Sequence, residues 1–289
     1  MISRAARAAL CLTTLVLLGW APTSDANSPW TLGVGEFYSE FLGSYYSSDT
    51  FHDDHGERPD LGATYETRSI RNSTQLGAWN RVTLRFDVPF ESNSLVPDGG
   101  GEGNTQTGLS DLILGARYGL LEGTTAVAIE AIWQAPLGYH REFLPPLGEG
   151  RQNAIGLLHV GTTFPGLNGF AQASGGYLAR IDQFPDDDPA QDQILFAADV
   201  GFWVGPSLLI AGSYQGEIES SSTDVKSNQH LLGPRIVYRV DNFLDVIVGS
   251  LHTVSAKEAL HLNEYFIGVA AKKTQLDRLK GFLGSKRRP

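Results

Sequence analysis

The chain has 289 residues, with 22 Lys and Arg against 32 Asp and Glu, and a formal net charge of −10. Its 42% apolar content excludes a disordered chain, and 33 glycines without a Gly-X-Y period exclude collagen. The acidic balance argues against a nucleic-acid partner, and no run of eighteen apolar residues beyond residue 20 leaves room for a helical membrane span.

Residues 1–26 read as a secretory signal peptide. Arg4 and Arg7 form its positive start, Ala8 to Leu18 its apolar core, and Ser24-Asp25-Ala26 a small-residue cleavage signal, with cleavage expected near Ala26. Cys11 lies inside that segment, so the exported chain is expected to carry no thiol, disulfide or cysteine metal site. A basic tail occupies 272–289, with seven Lys and Arg against Asp277, and Leu276, Leu279, Phe282 and Leu283 at near-helical spacing. The body between, 27–271, carries 13 basic and 30 acidic residues.

That body is dominated by period-two alternation. In chain order the predicted strands are 35–47, 62–75, 80–90, 110–121, 125–137, 153–164, 169–181, 193–203, 208–219, 230–240, 244–252 and 262–272. The first two alternate poorly, because Phe37, Tyr38, Phe41, Leu42, Tyr45 and Tyr46 occupy both faces. The third is the clearest: Val82, Leu84, Phe86, Val88 and Phe90 oppose Arg81, Thr83, Arg85 and Asp87. Leu112 to Leu120 then opposes Asp111 and Arg117, and Val127 to Ala135 opposes Glu130 and Gln134. Pro234 interrupts the tenth strand, which predicts a bulge there or a strand beginning at Arg235. Strands this long match the tilted strands of a transmembrane barrel better than those of soluble sheets, which average about five or six residues.

The connections give a second signal. Odd-numbered ones are long (48–61, 91–109, 138–152, 182–192, 220–229, 253–261), and even-numbered ones are short (around 76–79, 122–124, 165–168, 204–207, 241–243). Long outer loops alternating with tight periplasmic turns characterise outer-membrane barrels. The expected fold is therefore all-β: an antiparallel, up-and-down transmembrane β-barrel of about 12 strands in one domain. Its partners would be outer-membrane lipid and lipopolysaccharide.

Residues Trp30 to Tyr38 and Gly108-Leu109-Ser110-Asp111-Leu112-Ile113-Leu114-Gly115-Ala116-Arg117-Tyr118 resemble motifs of the outer-membrane family tied to the meta-pathway of phenol degradation. Ala135-Pro136-Leu137-Gly138 and Gly148 to Gln152 are similar to its next strand end and loop. The resemblance spans roughly residues 30–270. It implies a barrel that passes small, aromatic or hydrophobic compounds.

The charged faces supply candidate lumen-lining residues: Glu36, Glu40, Arg81, Arg85, Asp87, Asp111, Arg117, Glu130, Arg180, Asp199, Glu217, Arg235, Arg239 and Glu264. Interleaved signs point to salt-bridge networks rather than to a filter of one sign. No cofactor or metal is expected. His52-Asp53-Asp54-His55 reads as a turn-rich loop, as does Asp186-Asp187-Asp188 with Asp182 and Asp192. Gly99 to Gly103 lacks the Lys-Ser/Thr of a phosphate loop. The leading expectation is a passive channel and not an enzyme, and the alternative is a closed structural or surface-interaction barrel. A third reading, an outer-membrane hydrolase, would draw on Ser250, His252 or His159, with no third catalytic partner evident in the sequence.

Overall fold

The computed structural model describes residues 28–99, 101–139, 144–181, 191–220 and 227–273. The signal peptide, the Asp186-Asp187-Asp188 run and all but the first two residues of the basic tail lie outside the described residues.

Among the described residues fourteen strands follow in chain order: β1 (Phe37–His52), β2 (Asp60–Trp79), β3 (Val82–Pro97), β4 (Asn104–Leu109), β5 (Asp111–Leu121), β6 (Thr125–Pro136) and β7 (Asn153–Phe164). Then come β8 (Gly169–Arg180), β9 (Gln193–Val204), β10 (Leu208–Glu219), β11 (Asn228–Arg239), β12 (Leu244–Lys257), β13 (Ala259–Leu260) and β14 (Asn263–Lys273). Each long strand pairs antiparallel with its sequence neighbours, and β14 pairs with β1 from Phe37↔Lys273 to Ser47↔Asn263. That last ladder closes the sheet. Because β4 and β5 together form one stave, parted at Ser110, and β13 only caps the rim beside β1, the barrel has twelve staves. Closure matters physically, since it leaves no edge of unpaired amides to face lipid.

The alternation sorts the two faces. Phe86 is 45% exposed on the outer surface, whereas Thr83 is 1% exposed inside. Apolar side chains such as Ile129, Leu158, Ile194, Ile236 and Ile267 continue the outward belt around the barrel. Tight turns join the staves at one end, and Gly205 at φ 71° supplies the left-handed residue that the β9–β10 turn needs.

Three expectations change. β1, β2 and β3 extend well beyond the predicted strands, so much of 48–61 and 91–109 is sheet rather than loop. Glu91 and Asn93 point inward there and Ser92 and Ser94 outward, a polar-on-both-faces stretch with no hydrophobic period to read. Similarly, most of 253–261 is the end of β12 and β13. Finally, Pro234 does not start or end a strand. It lies within β11 on the exposed face and pairs with Gly212 of β10, while the β11–β12 register passes from Leu232↔His252 to Arg235↔Gly249 without pairing Gly233 or Pro234.

Candidate functional site in the barrel lumen

The inward rows carry most of the buried charge. On β3, the Arg85 Nε donates to Asp87 Oδ2 at 2.9 Å, and Asp87 Oδ1 accepts from Ser73 of β2 at 2.5 Å. Across the β5–β6 ladder, the Arg117 Nη2 meets Glu130 Oε2 at 3.0 Å, and His159 Nε2 of β7 lies 2.8 Å from the same oxygen. Further round, Asp199 of β9 joins three staves: its Oδ1 accepts from Ser213 at 2.6 Å and Arg235 at 2.9 Å, and its Oδ2 from Gln172 at 2.9 Å. Arg239 and Lys272 both face Asp245, and the Arg239 guanidinium also stacks 4.1 Å over Trp203. Glu40 accepts from Tyr38 at 2.7 Å, Glu36 accepts from the Gly33 amide at 2.6 Å, and Glu217 and Glu264 lie on the inward rows of β10 and β14. Opposite charges held this way neutralise one another across the wall, since an unpaired buried ion would be costly.

Arg81 is placed elsewhere. It occupies the tight turn between β2 and β3 with φ 63°, and its exposed guanidinium faces Glu122 at 3.7 Å. The alternation of the third strand runs one residue past the strand's end, which is why sequence places Arg81 with Arg85.

Both ends of the lumen are narrowed by non-strand segments. At the long-loop end, residues 144–151 fold inward onto β3, β5, β7 and β8. The Asn93 side chain donates to Pro146 O at 2.6 Å, and Ser110 Oγ bonds Leu147 O. Glu149 N donates to Asp111 Oδ2 at 2.9 Å, and Glu149 Oε2 accepts from Asn153 and from Arg180, each at 2.7 Å. Tyr139 caps the turn: its hydroxyl bonds Asp111 and accepts from the Gly150 amide at 2.5 Å. Burial and the Asp111 carboxylate push that phenol far above its usual pKa, so it stays a donor. Gly148 is required here, because a Cβ would sit 2.1 Å from the Tyr139 hydroxyl.

At the short-turn end, residues 28–35 lie across the mouth. The Leu32 amide donates to Thr83 Oγ1 at 2.8 Å, Arg117 Nη1 to Ser28 O at 2.6 Å, and Trp30 Nε1 to Gly123 O at 2.8 Å. Leu32 also packs against the buried Tyr38, Leu209, Val237, Ile247 and Ala270.

The profile of the family described as "Putative MetA-pathway of phenol degradation" matches residues 60–265. The chain belongs to this family. In its glycine-rich motif, Asp111 and Arg117 are the two charges that reach the lumen, and Gly108 admits Leu147 of the inward loop, whose Cδ1 would lie 3.0 Å from a Cβ.

Among solved structures, the chain is similar to an outer membrane channel from Pseudomonas putida F1, at 16% identity and a TM-score of 0.67 over 84% of this chain and 97% of the other. It is also similar to the translocator domain of the autotransporter NalP from Neisseria meningitidis (9%, 0.54, 90% and 96%) and to the NanC porin (10%, 0.51, 81% and 100%). No curated protein matches the chain. At such identities the likeness concerns the fold, that of an outer-membrane barrel.

Sequence reasoning placed only charges in the lumen and missed its apolar half. Ile113, Ile132, Ile155, Leu157, Leu178 and Leu195 form one buried inward cluster spanning five adjacent staves, β5 to β9. Their outward neighbours are also apolar, so only the register of Asp111, Glu130, Asn153 and His159 on the same rows could have revealed it. Asp53, Asp54 and His55 do gather ligand atoms within 4.8 Å. Asp53 Oδ1, however, already accepts the amides of His55 and Glu57 at 2.9 and 2.8 Å, which makes the group a turn.

Proposed function

We propose that the barrel is a passive outer-membrane channel for small aromatic or hydrophobic solutes, working by transport rather than by catalysis in the lumen. The observation that carries this reading is the apolar stripe from Ile113 to Leu195, facing salt-bridged walls inside a closed barrel. These side chains are packed on one another and closed to solvent, so an apolar solute would pass by parting them and making weak contacts in their place, and paired charges cost it little because they already satisfy one another. The Pseudomonas putida relative, named an outer membrane channel, supports the same reading.

In this reading the long loops face outward and the tight turns face the periplasm. The signal peptide is cleaved near Ala26, and lipid and lipopolysaccharide surround the barrel. A tag within 99–103 should then be detected on intact cells, and one at Asp241-Asn242 only after permeabilisation; equal labelling would refute the orientation.

The deciding experiment reconstitutes the protein in a planar bilayer and in liposomes, with and without phenol-sized solutes. Discrete openings, together with solute uptake that Leu178→Asp reduces several-fold, are expected. A bilayer silent at every voltage, with no uptake above protein-free liposomes, would favour a closed structural barrel. The segments narrowing both mouths are the specific observation on that side.

A further inference from the structure

A second polar group lies on the opposite surface of the wall, where hydrocarbon is the solvent. Ser250 and His252 are two residues apart on the outward row of β12, and Asn263 of β14 is the direct cross-strand partner of His252. His252 Nε2 lies 3.0 Å from Ser250 Oγ, and His252 Nδ1 lies 2.9 Å from Asn263 Oδ1. A carboxamide oxygen can only accept, so Nδ1 carries the ring proton and Nε2 presents its lone pair to the Ser250 hydroxyl. Tyr265, paired with Ser250, meets the imidazole edge-on with ring centroids 5.7 Å apart.

Polar groups on a lipid-facing wall are costly, and simple saturation of one by another needs no imidazole. The outward trio Ser39, Thr74 and Asn72 shows such saturation by hydroxyls and an amide alone, with Ser39 and Thr74 oxygens 2.8 Å apart and Asn72 bonding both. At Ser250 the arrangement is nucleophile, base and orienting amide, in that order. Its depth also fits. The β12–β14 ladder ends at His252↔Asn263, so the group stands toward the long-loop end of the barrel, the side on which an outer-leaflet ester linkage would approach it. Beside it the β11–β12 pairing skips Gly233 and Pro234, which places a residue without an N–H next to Ser250.

We propose that Ser250, His252 and Asn263 form a hydrolytic site on the outer wall that takes acyl esters of membrane amphiphiles. Ser250 Oγ attacks the ester carbonyl carbon as its proton passes to His252 Nε2. The imidazolium gives that proton to the departing alcohol, leaving an acyl-serine. A water from the headgroup layer then attacks the acyl carbon, loses a proton to His252, and releases the carboxylic acid while the serine hydroxyl is restored. Water is the only co-reactant. Asn263 is a positioning residue that holds the ring in the accepting tautomer. The inference is independent of whether the lumen conducts.

The test uses the full chain refolded in detergent micelles, a long-chain p-nitrophenyl ester and a fluorophosphonate probe. Wild type should release nitrophenol faster than protein-free micelles and take the probe at Ser250. Ser250→Ala and His252→Ala should each lower turnover by about 100-fold or more, with Ser39→Ala unchanged. Asn263→Ala should lower it about tenfold, and Asn263→Asp should restore it with the acid limb of the pH profile moved upward, because a carboxylate beside the imidazole favours its protonated form. Heat-modifiable migration on gels reports that each variant has folded. A wild-type rate equal to the micelle blank, or turnover retained in folded Ser250→Ala, would overturn the proposal.

Discussion

Arg117 of β5 and Glu130 of β6 are direct cross-strand partners whose charges meet at 3.0 Å with both side chains closed off from solvent. The pair is also a junction. Glu130 binds His159 as well, and Arg117 reaches the Ser28 carbonyl of the segment across the short-turn mouth. Removing one partner of such a pair leaves an uncompensated buried charge, which costs about 3–5 kcal/mol. Glu130→Ala should therefore lower stability by about that amount in a urea titration from lipid vesicles. Arg117→Met should cost less once Glu130→Leu accompanies it, giving a clear coupling energy in the double-mutant cycle.

The facing of β3 makes a second prediction. Phe86→Arg places a guanidinium against lipid, at a cost of about 2–4 kcal/mol near the midplane. Thr83 does face inward as the alternation implies, but it is covered by the Leu32 amide rather than by water. Thr83→Arg should thus displace residues 28–33 before it weakens the barrel. Folding titrations should rank Phe86→Arg as the more damaging, and a fluorophore on Trp30's neighbour Thr31 should report release only in Thr83→Arg.

A substitution at Gly148 tests the inward loop. Its Cβ would collide with the Tyr139 hydroxyl and with Asp111 Oδ1 at 2.5 Å, and both belong to the strut that holds the loop. Gly148→Val should free the loop while the twelve staves stay intact. Limited proteolysis on intact vesicles should then cut within 139–150 at least tenfold faster than in wild type. An unchanged cleavage rate would contradict the strut.

The rim beside β13 should respond to acid. Burial, reinforced by nearby Arg58 and His52, holds the His261 imidazole below its ordinary pKa. The folded form then binds protons less readily than the unfolded one, so this group's stabilisation is complete above the unfolded value of about 6.5 and fades as pH falls through the lowered value. Measured against their intrinsic exchange rates, amides of the β1–β13 pairs Phe51↔Leu260 and His52↔Ala259 should lose protection as pH falls below the unfolded value of about 6.5. His261→Gln should weaken that pH dependence, and His261→Gln combined with His52→Gln should remove it.

Much of this was legible from sequence, for reasons that differ along the chain. From Val82 to Phe90 the two faces have opposite chemistry, so strand and facing were both readable. Beyond Phe90, Glu91 to Ser94 stand clear of the apolar belt and are polar on either side, and only pairing with β2 and β4 identifies them as strand. The inward charges were visible because a buried charge stands out among apolar neighbours. Leu157 and Leu178 were invisible because apolar residues flank them on both sides of the wall. The two constrictions depend on Gly148 and Leu32, whose strand partners Asp111 and Thr83 are 37 and 51 residues distant in sequence. Asn263 is only 11 residues from His252 but escaped as well, since strand register alone sets it opposite the imidazole.

The segment at residues 28–35 and the loop at 144–151 sit at opposite ends of one conduit, and obstacles in series multiply rather than add. If each moved aside independently a tenth of the time, the path would be clear about 1% of the time. Clearing one alone would raise that only to about a tenth. A solute would then pass as through an airlock, entering past one door and waiting for the other, so net flux could persist while steady ionic current stays small.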